Sequence, residues 1–277
     1  MRELSPCQLI ERSINKKYRS EIWNPFIAGI KRYELVKAGD SIAVCISGGK
    51  DSMLMAKLFQ ALHRHSEVPF SLRFIVMDPG YNPINRQKIE SNAALLEIPI
   101  LVFHSDIFEV VSKTEDSPCY LCARMRRGHL YSHAMSLGCN KIALGHHFSD
   151  VVETVLMNIL YGSKFETMMP KLLSKNFPGM ELIRPMYCIH EDAIMAWKNY
   201  NALNFIQCAC PLSENCNVHD ATGGGSTRQE VKALLKQLKK TNRDVETSIF
   251  HSIHKVNLDA LIGYRLKGRD FSFLEGY

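Results

Sequence analysis

A chain of 277 residues, 46% of them hydrophobic, can bury a sizeable core and falls between one large domain and two small ones. No apolar run approaches the roughly 18–20 residues of a membrane span, and Met1 to Ser20 lacks the apolar core of a secretion signal. The expectation is a soluble, cytoplasmic protein with no membrane partner, in which nine cysteines serve chemistry or metal binding rather than a disulfide framework; the net charge of +6 suits a phosphate-rich partner without requiring one.

Residues 1–39 read as a helical lead-in, with Pro25 as a break. From Asp40, short apolar runs alternate with helical patterns. The runs are Ser41 to Ile46, Leu72 to Met77, Ile100 to His104 and Lys141 to Leu144, and they carry the Val, Ile, Leu and Phe content of strands buried on both faces. Between them, Asp51 to His65, Arg86 to Leu96 and Leu121 to Leu137 place apolar residues three and four apart. The predicted fold is α/β, a doubly wound and mostly parallel sheet with helical N-terminal and C-terminal additions. Ligands of such sheets bind beyond the carboxyl ends of the strands, which makes Ser47, Asp78 and Gly145 site candidates before any motif is considered.

After Asp150 a helix runs to about Tyr161, an irregular stretch continues to Pro185, and a further helix covers Glu191 to Asn201. The glycine run Thr222 to Ser226 reads as a flexible loop. The expected organisation is 1–39 lead-in, 40–217 nucleotide domain with a cysteine site, and 218–277 loop plus helical extension. In that extension Lys232, Lys236, Lys239, Lys240 and Arg243 lie opposite Leu234, Leu235 and Leu238, either a basic contact surface or a solvated helix face.

Ser47-Gly48-Gly49-Lys50-Asp51-Ser52 follows a strand and opens a helix. Glycines let a phosphate approach the backbone, the helix start supplies unpaired N–H groups, and Ser47 and Ser52 add hydroxyls. The spacing is not that of a Walker A loop. The hexapeptide resembles the signature of the PP-loop ATP-pyrophosphatases, which cleave ATP between its α and β phosphates and attach AMP to a carbonyl oxygen. That resemblance implies that Ser47, Gly48, Gly49 and Ser52 hold pyrophosphate beside Lys50, that Asp51 positions it or its Mg²⁺, and that Asp78 or its neighbours lie near the adenosine.

Cys119-Tyr120-Leu121-Cys122 precedes Arg124, Arg126 and Arg127. A two-residue gap lets two thiolates reach one metal or cluster, and nearby arginines attract phosphate; a redox pair is the alternative. Cys208 or Cys210 would add a third thiolate, leaving one iron of a four-iron cluster open to sulfide. These residues, with Lys141 to His147, Asp150, Tyr161-Gly162 and Pro170-Lys171, resemble the tRNA 2-thiocytidine synthetases known as TtcA, over about Asp40 to Asn217.

The resemblance implies ATP, Mg²⁺ and a [4Fe-4S] cluster as cofactors, tRNA as substrate, and a cysteine desulfurase or other sulfur donor as partner. It implies Cys119, Cys122 and Cys208 as cluster ligands with Cys210 the alternative, and a nucleotide or Mg²⁺ role for Asp150. The chain departs from the family pattern in its Cys-Ala-Cys at 208–210 and in Ser149, where a second acidic residue is usual. His146 is expected to line the site, and Arg126 and Arg127 to bind ATP phosphates or the tRNA backbone. Basic surface shared across a homodimer would serve tRNA, since no separate RNA module is visible. Two rival functions stand beside this one: adenylation of another nucleobase or a small-molecule carbonyl, and a non-catalytic ATP or cluster sensor.

Overall fold

The computed structural model describes residues 4–112, 118–206 and 227–277. Two compact units are present, Met1–Val151 with Met169–Gly225, and Val152–Met168 with Ser226–Tyr277.

The first unit is built on a six-stranded sheet. Its strands are β1 (Ser41–Ile46), β2 (Ser71–Asp78), β3 (Ile100–His104), β4 (Lys141–Ala143), β5 (Lys171–Leu173) and β6 (Glu181–Ile183), in the order β3-β2-β1-β4-β6-β5. All pairings are parallel except β5 against β6. The order reverses between β1 and β4, which opens a crevice at the carboxyl ends of those two strands. β5 and β6 lie in the stretch expected to be irregular. Each is three residues long, too short to show an alternation.

Side-chain alternation sends β1 residues to two cores. Ile42, Val44 and Ile46 join α1 (Pro6–Asn15), α2 (Asn24–Arg32), α3 (Lys50–His65) and α8 (Glu191–Tyr200) on one face. Ala43 and Cys45 meet α6 (Pro118–Ser136) on the other, through Tyr131 and Ala134. α4 (Pro83–Leu95) follows β2, the short α5 (Ile107–Ser112) follows β3, and α7 (Phe148–Gly162) follows β4. Local caps fix the helix starts: Ser5 and Gln8 form a capping box at α1, and Asn82 accepts from Asn85 N at α4. Pro25 stands in the first turn of α2, into which a π-helical turn at Arg19–Trp23 runs without interruption, so the break in the lead-in falls at residues 16–18 and not at Pro25. Residues of the 1–39 lead-in belong to the first unit and cover its core.

At the amino ends of the strands, buried Lys141 is matched by Asp40 Oδ2 at 2.8 Å and Glu181 Oε2 at 3.1 Å, and it donates to Leu35 O at 2.9 Å. Asp40 also accepts from Asn140 and from Lys37 N. Burial works to raise its carboxyl, but these donors outweigh it and hold Asp40 below the usual carboxylate range.

The second unit contains the later part of α7, α9 (Thr227–Thr241), α10 (Val245–Ser252) and a hairpin of β7 (Gly263–Leu266) and β8 (Arg269–Ser272). Glu153 of α7, 2% exposed, meets Arg228 at 3.0 Å and Lys232 at 3.5 Å, both from α9. Residues 152–168 therefore group with the C-terminal region, a partition different from the 218–277 extension expected from sequence. The extension is also not wholly helical: Lys267 and Gly268, both at positive φ, form the two-residue hairpin turn.

Candidate active site

β1 delivers the chain to Ser47, and α3 begins at Lys50 with Gly49 at its N-cap. Gly48 has φ +84°, and a Cβ there would lie 2.5 Å from Ile89 Cγ1 and 2.7 Å from Ile206 Cδ1. The Ser47 N–H and hydroxyl both donate to Ser52 Oγ, at 3.1 and 3.2 Å, and Ser52 Oγ donates to Gly49 O at 3.0 Å. The two hydroxyls thus brace the turn in this state. The first intrahelical bond runs from Met53 N to Gly49 O, so the N–H groups before it form the anion-facing start of α3.

Lys50 Nζ lies 3.1 Å from both Asp51 Oδ2 and Glu191 Oε1, the latter from the first turn of α8. Burial works against its charge, but the two carboxylates outweigh this and hold the ammonium above the usual lysine range.

After β4, Gly145 passes so close to α3 that a Cβ would come within 3.2 Å of Ser52 N and 3.3 Å of Asp51 C. His147, 3% exposed, places Nε2 3.8 Å from Asp51 Oδ1 and Nδ1 3.5 Å from Asp150 Oδ2, and its N–H donates to Asp150 at 3.0 Å. Asp51 Oδ1 is buried with no hydrogen-bond partner. The residue between the two carboxylates is therefore His147, while the expected His146 is half-buried. A buried carboxylate oxygen left unsatisfied at a helix start is a fitting ligand for a cation shared with substrate phosphates. Among the described residues no group of three or more His, Cys, Asp or Glu forms a closed metal cage.

Asp78 ends β2 but spends its oxygens locally. It accepts from Gly80 N, Tyr81 N and Arg86 Nη1, the last at 2.6 Å. Burial would raise its carboxyl; these donors win and hold it below the ordinary range. Its task in the structure is to shape the loop after β2.

That loop leads to the cysteines. Gly80 and Tyr81 pack against Phe108 of α5, and the Arg126 guanidinium sits 5.3 Å from the same ring, with Nε buried and unbonded. Cys122 is buried with Met77, Ile107, Phe108 and Val111, beside the carboxyl end of β2. Cys119 lies three residues earlier on α6, a spacing that puts both positions on one helix face. Cys208 and Cys210 lie outside the described residues. Cys7, Cys45 and Cys139 are core residues and Cys188 is half-buried; burial pushes the Cys7, Cys45 and Cys188 thiols up, which suits inert cysteines.

Sequence reasoning favoured His146 over His147, and missed Glu191 and Arg184. The last directly follows β6, is 9% exposed, and feels the charge of Arg127 of α6. A charged residue after the apolar pair Leu182-Ile183 was the one available signal.

The family model of the PP-loop domain matches residues 14–214, well over half of the chain. The chain belongs to the PP-loop family. It is similar along most of its length to proteins named tRNA-cytidine(32) 2-sulfurtransferase. One from Geobacter metallireducens is 31% identical over 255 residues, covering 91% of this chain and 95% of the relative. One from Syntrophotalea carbinolica is 33% identical over 238 residues, covering 85% and 88%. Among solved structures, the U34-tRNA thiolase NcsA from Methanococcus maripaludis with its [4Fe-4S] cluster superposes with a TM-score of 0.65 at 22% identity, covering 83% of this chain and 76% of that one, a likeness of fold. For a PP-loop protein, the cradle at the head of α3 and the mostly parallel sheet behind it are the expected parts, and both are present.

Proposed function

We propose that this protein is an ATP-dependent tRNA sulfurtransferase that replaces the C2 oxygen of cytidine 32 with sulfur. The observation that carries this is the shared sheet edge: the PP-loop leaves the carboxyl end of β1, and Cys122 packs on Met77 near the carboxyl end of β2, its neighbour. Nucleotide activation and a thiolate site thereby adjoin, and the similarity to tRNA-cytidine(32) 2-sulfurtransferases supports the substrate.

In this mechanism the start of α3, with Ser47, Gly48, Gly49 and Ser52, binds the β and γ phosphates of ATP. Asp51 turns its unsatisfied oxygen to Mg²⁺, Asp150 holds the β4 loop through His147 N, and Lys50 leaves its carboxylates to meet phosphate. The cytidine O2 attacks the α-phosphorus, pyrophosphate leaves, and the adenylated C2 becomes electrophilic. Sulfide adds at C2 and AMP departs with the former O2, so no net electron transfer is needed. The buried Cys122, Cys119 one helical turn earlier, and Cys208 or Cys210 would hold a [4Fe-4S] cluster, which when bound supplies an iron coordination position for sulfide.

Arg126 and His146 line the approach in this scheme, with the Asp78 loop and Gly145 forming its floor. A sulfur donor such as a cysteine desulfurase, a cytoplasmic location and a homodimer complete the proposal. No helix among the described residues is long and apolar enough to cross a membrane.

The test is anaerobic reconstitution with iron and sulfide, followed by incubation with ATP, Mg²⁺ and a tRNA transcript, reading pyrophosphate and 2-thiocytidine by mass spectrometry. Thiolated cytidine at position 32, absent from a transcript lacking that cytidine, is expected. Pyrophosphate without thiolated nucleoside would leave an adenylating enzyme with another acceptor.

A further inference from the structure

Among the described residues the first unit buries three long cations, and two are matched. Lys141 meets Asp40 and Glu181, and Lys57 meets Glu11 Oε2 at 3.4 Å with Gln60 and Leu96 O completing its shell. The third is Arg184. Among the described residues no carboxylate comes within 4 Å of its guanidinium. Among the described residues its side chain makes one hydrogen bond, from Nη1 to Met169 O, and its Nε is buried with no partner. Burial pushes the group down to about 10; Arg127 adds to that while Tyr187, Tyr131 and Asp150 oppose it, so the guanidinium remains a cation at neutral pH. A buried cation with no carboxylate in contact is costly and gains a partner when an anion arrives.

Its position follows from the strand. Leu182 packs into the α6 core and Ile183 into the α3 core, so the next alternate position, Arg184, falls on the α6 face. This is the carboxyl end of β6, the sheet edge that also presents Ser47 and Gly145. Two residues on, Met186 bridges in parallel to His147, which ties the Arg184 turn to the β4 loop.

We propose that Arg184, with the charge of Arg127 acting on it, forms a second oxyanion subsite in which a phosphate group accepts from the guanidinium N–H groups that the Met169 bond leaves unpaired. The planar fork of arginine suits two phosphate oxygens at once. Both substrates of the proposed reaction carry such groups, and the nucleotide phosphate and the RNA phosphodiester are separable by experiment. The subsite is independent of which base is modified.

The experiment measures affinities of full-length wild type, Arg184→Gln, Arg184→Lys and Arg127→Gln for a non-hydrolysable ATP analogue and for a tRNA transcript, at several salt concentrations. The expected result is a loss of tenfold or more for one ligand in Arg184→Gln. Arg184→Lys should lose less, and Arg127→Gln a few-fold for the same ligand. Loss confined to the ATP analogue assigns the nucleotide phosphate; loss confined to tRNA, with a salt slope reduced by about one, assigns the RNA backbone. Folding is followed by circular dichroism. Unchanged affinities for both ligands in folded Arg184→Gln would overturn the subsite. If that variant does not fold, unchanged affinities in Arg184→Lys and in the exposed-site variant Arg127→Gln do so instead. The readout is binding, so its failure leaves the thiolation assay untouched.

Discussion

Asp51 Oδ1 stands 3.8 Å from His147 Nε2 and accepts no hydrogen bond, while Asp51 Oδ2 contacts Lys50 Nζ at 3.1 Å. One oxygen of the carboxylate is committed and the other is held ready at the start of α3. Asp51→Asn keeps the shape and removes the charge. Pyrophosphate release should fall by about 10²–10³-fold, with a higher Mg²⁺ requirement and a nearly unchanged melting temperature. Release at wild-type rates would remove Asp51 from the chemistry.

Gly48→Ala combines a positive φ with a methyl 2.5 Å from Ile89 Cγ1, so the turn must shift. A stability loss of about 1–3 kcal/mol is expected, with ATP affinity reduced more than the melting temperature alone would suggest. Denaturant melts beside nucleotide titrations separate the two effects.

Cys122→Ala removes a sulfur from an apolar cluster and leaves the backbone of α6 unstrained, so the cost is on the order of 1 kcal/mol. Iron in the anaerobically reconstituted protein should drop from about four per chain toward none, with loss of visible absorption. Retention of iron by this variant would refute Cys122 as a ligand.

Stability should fall at acid pH for a stated reason. Asp40 and Asp78 are both held below the ordinary carboxylate range. Each adds stability that is full above its unfolded value, about 3.9, and is lost as pH falls through the lower folded value. Melting temperatures should decline below about pH 4, and Asp40→Asn should lower the neutral-pH value while flattening that decline. An acid limb as steep in Asp40→Asn as in wild type would contradict the assignment.

In the second unit, Glu153 is 2% exposed whereas the side chains of Arg228 and Lys232 are 40% and 45% exposed. The two sides of this cluster should therefore differ. Glu153→Gln releases cations that can turn to water, a small loss. Replacing Arg228 and Lys232 by Met strips a buried carboxylate of these two partners and should cost about 3–5 kcal/mol, measurable by urea melts.

The four strands β1 to β4 were legible because each is a short apolar run, although the edge strand β3 is only partly buried, with Leu101 exposed; the PP-loop was legible because its residues are consecutive. The rest of the site is not local. Lys50 and Glu191 are 141 residues apart, and no periodicity announces that α8 will place its first turn against α3. His146 and His147 could not be separated, because β4 ends at Ala143 and its alternation does not reach them; the structure buries His147 against Asp51. Arg184 was hidden by the brevity of β6.

The matched cation at the amino edge of the sheet and the unmatched one at the carboxyl edge divide the molecule's tolerance to change. Lesions around Lys141 break ion pairs and should appear as poor soluble yield, whereas lesions around Arg184 break no ion pair and should show first as weakened ligand binding. A mutant library sorted first for yield and then for product would separate the two edges without reference to any alignment.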